Sequence, residues 1–172
     1  RPASCPEPPE KRRVTLGIIA LNDCAPIVIA REKGFFARHG LDVRIRRESS
    51  WAAIRDKVAC GLLDGAQMLA PMPLAATVGD QHGRAPMVAA FSLGLNGNAI
   101  TVSNSLYQRM VYAAPEALTE RPITANALRA VIEEDRQANR PPLRLGVVFP
   151  STTQHYEMRY WLAAGGIDPD RD

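Results

Sequence analysis

Segments typical of β-strands alternate with segments of helical periodicity along most of this chain. That alternation favours parallel strand pairing through right-handed helical crossovers. We therefore predict an α/β fold, in which parallel-rich sheet is covered by helices on both faces. Strands are predicted at residues 14–21, 41–46, 66–69, 87–91, 99–102 and 143–149. Helices are predicted at residues 25–33, 35–38, 51–60, 74–78, 105–112, 124–138 and 151–164.

Local signals set the ends of several predicted helices. Pro26 suits a first helical turn, where its missing N–H costs nothing, and Gly34 suits the left-handed position after a helix. Ser49 and Ser50 are candidate caps before the third predicted helix, and Ser151 is a candidate cap before the last. Pro- and charge-rich residues 1–13 are predicted to form a disordered arm, so that order begins at Val14.

Composition excludes several classes of protein. No apolar run reaches the roughly eighteen residues that a membrane span needs. The net charge is +3, but residues 14–172 hold 17 basic and 16 acidic side chains, so the body of the chain lacks the charge of a nucleic-acid binder. The cysteines and histidines lack the spacing of a disulfide framework or a metal site, and we predict neither a metal nor a cofactor. These residues are Cys5, Cys24, Cys60, His39, His82 and His155.

The junctions that follow predicted strands carry the candidate binding residues. In open α/β sheets, ligands bind outside the carboxyl ends of the strands, where helices begin. Backbone N–H groups at such helix starts attract anions, and nearby side chains add further donors. A planar, weakly hydrated oxyanion suits this mixture of amide, hydroxyl, indole and imidazole groups. The candidates are Asn22, Ser50, Trp51, Asn98 and His155.

Each candidate also has a purely structural interpretation. Trp51 at helical spacing fits a core residue, and Asn98 after Gly97 fits a turn. Asn22 and Ser50 fit plain helix caps, and His155 fits an exposed bystander at a helix start. An enzyme is disfavoured, because no nucleophile elbow, Walker loop or dinucleotide fingerprint is present.

The same junctions resemble a known family. The sequence resembles the nitrate-binding members of the bacterial solute-binding proteins, the receptors of ABC uptake systems for nitrate, nitrite and, in one branch, bicarbonate. The match covers almost the whole chain from Val14. The segments that carry it are residues 21–26, 32–36, 50–57, 68–73, 96–101 and 155 with 159–162.

This resemblance implies a type II periplasmic-binding-protein-like fold of two lobes with an anion in the cleft. It implies that Trp51 lines the anion site and that His155 reaches it from the second lobe. Asn98 stands where the nitrate receptors carry a glutamine, and the family's site lysine lies beyond Asp172. We therefore expect residues 14–101 to form lobe 1 and residues 102–172 to form an incomplete lobe 2. This lobe is expected either to be mobile beyond about Val102 or to rely on other segments or a partner chain to cover its apolar faces.

Two functional classes remain open from the sequence. The first is a periplasmic receptor that delivers nitrate or nitrite to the membrane permease of an ABC transporter; Cys5 after Ala3-Ser4 fits a lipid anchor or a tail cysteine of no consequence. The second is a cytoplasmic nitrate sensor of similar fold that acts on a regulatory partner. A bicarbonate receptor is also open, but bicarbonate needs an acceptor beside the donors, and none is clearly placed.

Two geometric expectations complete the sequence-based prediction. We expect the Trp51 ring to be partly exposed in the absence of ligand, because Trp51 directly follows the predicted Ser50 cap at a strand end. We expect His155 in the first turn of a helix, because the predicted strand 143–149 and the Ser151 cap precede it.

Overall fold

The computed structural model describes residues 9–79, 83–95, 97–119 and 121–171. The chain divides into two compact units, which we call the first unit, Arg1–Asn96, and the second unit, Gly97–Asp172. Each unit is considered by itself. Residues 97–101 belong to the second unit, and the predicted lobe boundaries stay a prediction. Residues 1–8 of the predicted arm lie outside the described residues.

The first unit contains a parallel sheet. Its strands are β1 (Arg13–Ile18), β2 (Asp42–Arg47) and β3 (Gly65–Ala66), in the order β2-β1-β3. Both pairings are parallel, as the alternating pattern predicts. β1 ends earlier than the predicted residue 21, because the N–H of Ile19 donates a hydrogen bond to the side-chain oxygen of Gln67 at 3.1 Å.

Four helices accompany this sheet among the described residues of the first unit: α1 (Ala25–Glu32), α2 (Phe35–Arg38), α3 (Trp51–Ala59) and α4 (Pro71–Val78). Pro26 lies in the first turn of α1, and Gly34 has φ 70° between α1 and α2, so both predictions are confirmed. Pro71 and Pro73 lie inside the first turn of α4, earlier than the predicted start at residue 74, because helix N-termini tolerate proline.

The two faces of β1 are packed differently. Leu16 and Ile18 pack with Ile27 and Val28 of α1 on one face. On the other face, Gly17 has no room for a side chain, since a Cβ there would lie 2.6 Å from Leu63 Cδ1. Leu63 follows α3 and is almost fully buried. The sheet is therefore covered on both faces.

The predicted disordered arm, residues 1–13, is wrong for its last three residues, which are bound to the sheet. Arg12 accepts a backbone hydrogen bond from Asp42 at 2.8 Å, and Arg13 is the first residue of β1. The Lys11 ammonium binds the Asp64 carboxylate, which also accepts from the N–H of Thr15. These contacts tie residues 11–13 to the sheet, and the Lys11 and Thr15 donors lower the pKa of Asp64.

Three predicted strands are wrong. Residues 87–91, 99–102 and 143–149 have no strand assignment in the described parts of the chain. Their apolar side chains are partly on the surface; Val88, for example, is 93% exposed. A strand needs a neighbouring strand for its hydrogen bonds, and the described residues provide none here.

The second unit is helical in its described residues. It comprises α5 (Asn104–Ala113), a 3-10 turn (Glu116–Leu118), α6 (Asn126–Gln137) and α7 (Thr153–Ala164). The three α-helices agree in type with the predicted helices, whereas the 3-10 turn was not predicted. Their apolar faces share one core. The buried residues of that core are Met110, Ala125, Ala127, Leu128, Val131, Leu162 and Ile167. Nowhere in the described residues does a helix combine the length and apolarity that crossing a membrane requires.

Asp135 of α6 is a buried carboxylate that joins two arginines. Arg109 of α5 and Arg140 both bind its Oδ1, and these bonds, the Arg109 one most, lower the pKa of Asp135. A group whose folded pKa lies below its unfolded value stabilises the fold above the unfolded value, here about 3.8. This stabilisation is lost as the pH falls through the lower folded pKa.

We expect the second unit to lose stability in acid, and to lose less in an Asp135→Asn variant, which has no carboxylate to protonate. Urea unfolding followed between neutral pH and about pH 3 would measure the difference. Glu134→Gln, a change at the exposed neighbouring residue, is the matched control. Equal acid dependence in Asp135→Asn and the parent chain would contradict this role.

Candidate functional site

The carboxyl edge of the first unit's sheet gathers three of the predicted residues. Asn22 begins a 3-10 turn, Asn22–Cys24, soon after β1, and Ser50 and Trp51 stand at the start of α3, after β2. β1 and β2 are parallel neighbours, so these positions share one edge of the sheet. This is the edge at which α/β sheets bind ligands.

Ser50 has the predicted capping role. Its Oγ accepts a hydrogen bond from the N–H of Ala53 at 3.1 Å, which leaves the hydroxyl hydrogen available as a donor. Asn22 does not cap α1, contrary to its capping interpretation, because the 3-10 turn places Cys24 at the cap position. The Asn22 side chain is exposed and makes no hydrogen bond with the described residues.

The predicted exposure of Trp51 is wrong. Trp51 is only 8% exposed and is buried on α3 together with Ile54 and Arg55. Spacings of three and four residues place these side chains on one helix face. Trp51 is thus the first residue of the buried stripe of α3, while its backbone stays at the carboxyl edge of the sheet.

Two buried polar residues at this edge were missed in the sequence. Glu48, one residue after β2, is 7% exposed; its Oε2 binds Lys57, and its Oε1 lies 3.8 Å from Arg46 Nε without a hydrogen bond. Gln67, one residue after β3, is 1% exposed, and its Nε2 has no hydrogen-bond partner among the described residues. Gln67 could have been recognised from the sequence as the one polar residue inside the otherwise apolar run 66–69.

His155 lies in the first turn of α7, as predicted. The cap is Thr152, not the predicted Ser151: Thr152 Oγ1 accepts from the His155 N–H at 3.2 Å. Ser151 instead has φ 60°, and its N–H donates to His155 Nδ1 at 3.4 Å. The imidazole also stacks on the Tyr156 ring, with centroids 5.6 Å apart. Backbone and side chain together fix the orientation of the ring.

Asn98 lies in a groove of the second unit. Its side chain is exposed, and the groove has a volume of about 350 Å³ between α7 and two segments without regular structure. Glu157 adds a carboxylate, and Gln154 adds an amide. The other lining residues are Ala99, Ile100, Gly146, Val147, Val148, Met158 and Trp161. The groove therefore offers both donors and an acceptor, whereas His155 is not part of its lining.

A second cavity lies at the opposite, amino edge of the first unit's sheet. It has a volume of about 430 Å³, and Arg31 and Arg44 line it with Arg13 and Asp42. Arg13 and Asp42 face each other at 4.0 Å and are both largely exposed. In the described parts of the chain, no group of three or more His, Cys, Asp or Glu side chains is placed to hold a metal ion.

Comparison with known proteins places the chain in a family. The model of the NMT1-like family matches residues 7–172, almost the whole chain. The chain belongs to the NMT1-like family. This confirms the sequence resemblance, because curated relatives of the chain include nitrate-binding and bicarbonate-binding proteins.

Three relatives of this NMT1-like chain have names that refer to different anions. The chain is 44% identical to the bicarbonate transport ATP-binding protein CmpC of Synechocystis sp. PCC 6803. It is 39% identical to the nitrate/nitrite binding protein NrtA of Nostoc sp. PCC 7120, and 38% identical to the bicarbonate-binding protein CmpA of Synechococcus elongatus PCC 7942. Each alignment covers 95% of this chain but only 23% of CmpC and 35% of NrtA and CmpA.

A solved structure supports the fold of this NMT1-like chain. The crystal structure of the periplasmic nitrate-binding protein NrtA from Synechocystis PCC 6803 matches it with a TM-score of 0.75 at 34% sequence identity. The match covers 95% of this chain and 40% of NrtA. The predicted α/β fold of the periplasmic-binding-protein type is thereby confirmed, and the chain corresponds to part of it.

Proposed function

We propose that this chain binds a small planar oxyanion, with nitrate as the first candidate, and that it is part of the substrate-binding component of an ABC transporter. The observation that carries the proposal is the match to the periplasmic nitrate-binding protein NrtA over 95% of this chain. The same match supports a periplasmic location. The proposed partner is the transporter's membrane permease, and the lipid anchor at Cys5 stays a prediction at a residue outside the described ranges.

The chemistry of the candidate residues fits nitrate. Nitrate accepts hydrogen bonds and donates none, so its site needs N–H and O–H groups. In the first unit, the Asn22 amide and the Ser50 hydroxyl are such groups at one sheet edge, where Trp51 begins α3 with its side chain buried. In the second unit, the Asn98 amide and the His155 imidazole are such groups. Each of these groups suits reversible binding, and we assign them no covalent step.

Bicarbonate is the second candidate ligand. CmpC and CmpA carry bicarbonate in their names. Bicarbonate also has an O–H group that needs an acceptor. Glu157 provides a carboxylate in the groove that Asn98 lines, and this observation favours keeping bicarbonate as an alternative. The comparisons do not favour the cytoplasmic sensor.

Titration of sodium nitrate into the ¹⁵N-labelled chain tests the proposal, with chloride keeping the ionic strength constant. We expect saturable shifts of the His155 imidazole. Bicarbonate at the same concentrations provides the comparison, and a Glu157→Gln variant should weaken bicarbonate binding without weakening nitrate binding, because the variant removes an acceptor and a negative charge. Nitrate shifts that never saturate, or that chloride reproduces, would contradict an oxyanion site.

A His155→Ala variant should weaken nitrate binding by about 1–3 kcal/mol, the usual cost of losing a hydrogen-bond partner of a charged group. Calorimetry or the same titration would measure the change. His39→Ala is the matched control, because His39 is exposed at the end of α2, in the first unit. Arg44→Ser tests the arginine-lined cavity at the other sheet edge in the same way. Unchanged affinity in His155→Ala, with loss in Arg44→Ser, would move the site to that cavity.

A further inference from the structure

The His155 ring is held by a hydrogen bond from the backbone. The N–H of Ser151 donates to Nδ1 at 3.4 Å. A ring nitrogen that accepts an N–H must present its lone pair, so Nδ1 carries no proton in this arrangement. In a neutral imidazole the single proton then sits on Nε2.

The turn before His155 is built to keep that N–H in place. Ser151 has φ 60°, a left-handed conformation that non-glycine residues seldom adopt and that surrounding contacts must hold. Thr152 supplies those contacts: it is fully buried, and its Oγ1 donates to the Phe149 carbonyl at 2.8 Å while it accepts from the His155 N–H. One hydroxyl thus links both sides of the turn.

The other side of the imidazole is left open. Nε2 makes no hydrogen bond with the described residues. Asp170 accepts hydrogen bonds from Arg159 through both carboxylate oxygens, at 2.8 and 2.7 Å, and this pairing lowers the pKa of Asp170. That carboxylate is therefore already paired, and the Nε2–H remains available for another acceptor.

The geometry points to Ser151 and Thr152 as positioning residues that hold His155 in the Nε2–H tautomer, so that it offers a single N–H donor to the oxyanion. The donor role rests on the proposed function, whereas the tautomer does not. The arrangement also sets a specificity: Nε2–H serves a ligand oxygen that accepts a hydrogen bond, and it cannot serve one that donates.

The tautomer is tested without ligand. Long-range ¹H–¹⁵N spectra of the imidazoles distinguish an Nε2-protonated ring from an Nδ1-protonated one. With the rings neutral, we expect His155 to give the pure Nε2–H pattern and the exposed His39 to give a pattern averaged over both tautomers. Nδ1 protonation of His155, or a pattern averaged like that of His39, would overturn the inference.

Variants of Thr152 test the positioning. Thr152→Val keeps the shape but removes both hydrogen bonds, and should release His155 toward the averaged pattern. Thr152→Ser keeps the hydroxyl and should preserve the Nε2–H pattern. The amide spectrum of α7 shows whether each variant is folded. A Thr152→Val chain that is folded and keeps the pure Nε2–H pattern would overturn the role of Thr152.

Two replacements of His155 test the donor. A glutamine amide reaches about as far as Nε2, and an asparagine amide reaches about as far as Nδ1. We expect His155→Gln to retain nitrate affinity within about threefold and His155→Asn to lose about tenfold or more. Sodium nitrate titration measures both. Equal losses would overturn the Nε2 assignment of the donor. His155→Ala separates the two claims. If this variant binds nitrate as tightly as the parent chain, and the parent chain shows the Nε2–H pattern, then the proposed function of His155 is wrong but its positioning by Ser151 and Thr152 is not.

Discussion

A Gly165→Ala variant should lower the free energy of unfolding of the second unit by about 3 kcal/mol, the upper part of the usual range for overpacking. Gly165 follows α7 directly. A Cβ at this position would lie 2.5 Å from Ala125 Cβ and 3.0 Å from Ala125 Cα. Ala125 is fully buried, and its carbonyl accepts from Arg129 at 2.9 Å. The clash is therefore with backbone that is itself fixed, and relief requires α6 and α7 to move apart.

The control for this effect is Gly146→Ala. A Cβ at Gly146 would meet no atom within 4 Å, so we expect a change within about 0.5 kcal/mol. Native-state hydrogen exchange of α6 amides reports the second unit without relying on either tryptophan. If the two alanine variants exchange equally, the tight contact at Ala125 does not contribute to stability.

A Leu128→Ala variant should cost about 2–5 kcal/mol, the range for truncating a buried leucine. Leu128 is fully buried in the core that α5, α6 and α7 share. The lost methyl groups leave a cavity that buried neighbours such as Val131 and Leu162 fill only in part. The same hydrogen-exchange experiment measures the loss, and the α6 amides should respond first.

Leu145→Ala is the matched leucine control. Leu145 is 43% exposed in the segment before α7, so its truncation should change stability by about 0.5 kcal/mol or less. A loss in Leu145→Ala as large as in Leu128→Ala would mean that the segment 143–149 is packed in solution and not on the surface.

Features with a local cause could be predicted from the sequence. Pro26, Gly34 and Ser50 act through their own backbone or side chain, and each has the predicted role. The parallel pairing of the strands in the first unit could also be predicted, because strand and helix patterns alternate there and few topologies satisfy that alternation.

Features that depend on distant partners could not be predicted. The sequences at 87–91 and 143–149 are strand-like, but a ladder needs a neighbour that the local pattern does not specify. Trp51 has the position expected of a site residue, yet its burial is set by the packing of α3, in agreement with the core interpretation that its helical spacing also allowed.

The candidate site follows the same division. The carboxyl-edge positions of Asn22, Ser50 and Trp51 follow from the parallel strand pairing. His155 lies in a first helical turn as predicted, but the strand at 143–149 on which that prediction was based is not formed, and only the start of a helix near this point follows from the sequence. The exchange of the cap from Ser151 to Thr152 does not, because either hydroxyl suits a cap and only the φ of 60° at Ser151 decides between them.

The strand order of the first unit has a consequence for synthesis of the chain. β1 is the central strand, yet it is the first of the three strands to be synthesised. Its partner β2 follows after one helical region and β3 after a second, so Leu16 and Ile18 have no strand partner until Ile45 and Arg47 have been made. Pairing over such separations is slow compared with local helix formation. Of the three strands, the apolar β1 is therefore the one that waits longest for its partners during translation and stays open to a nascent-chain chaperone for that time.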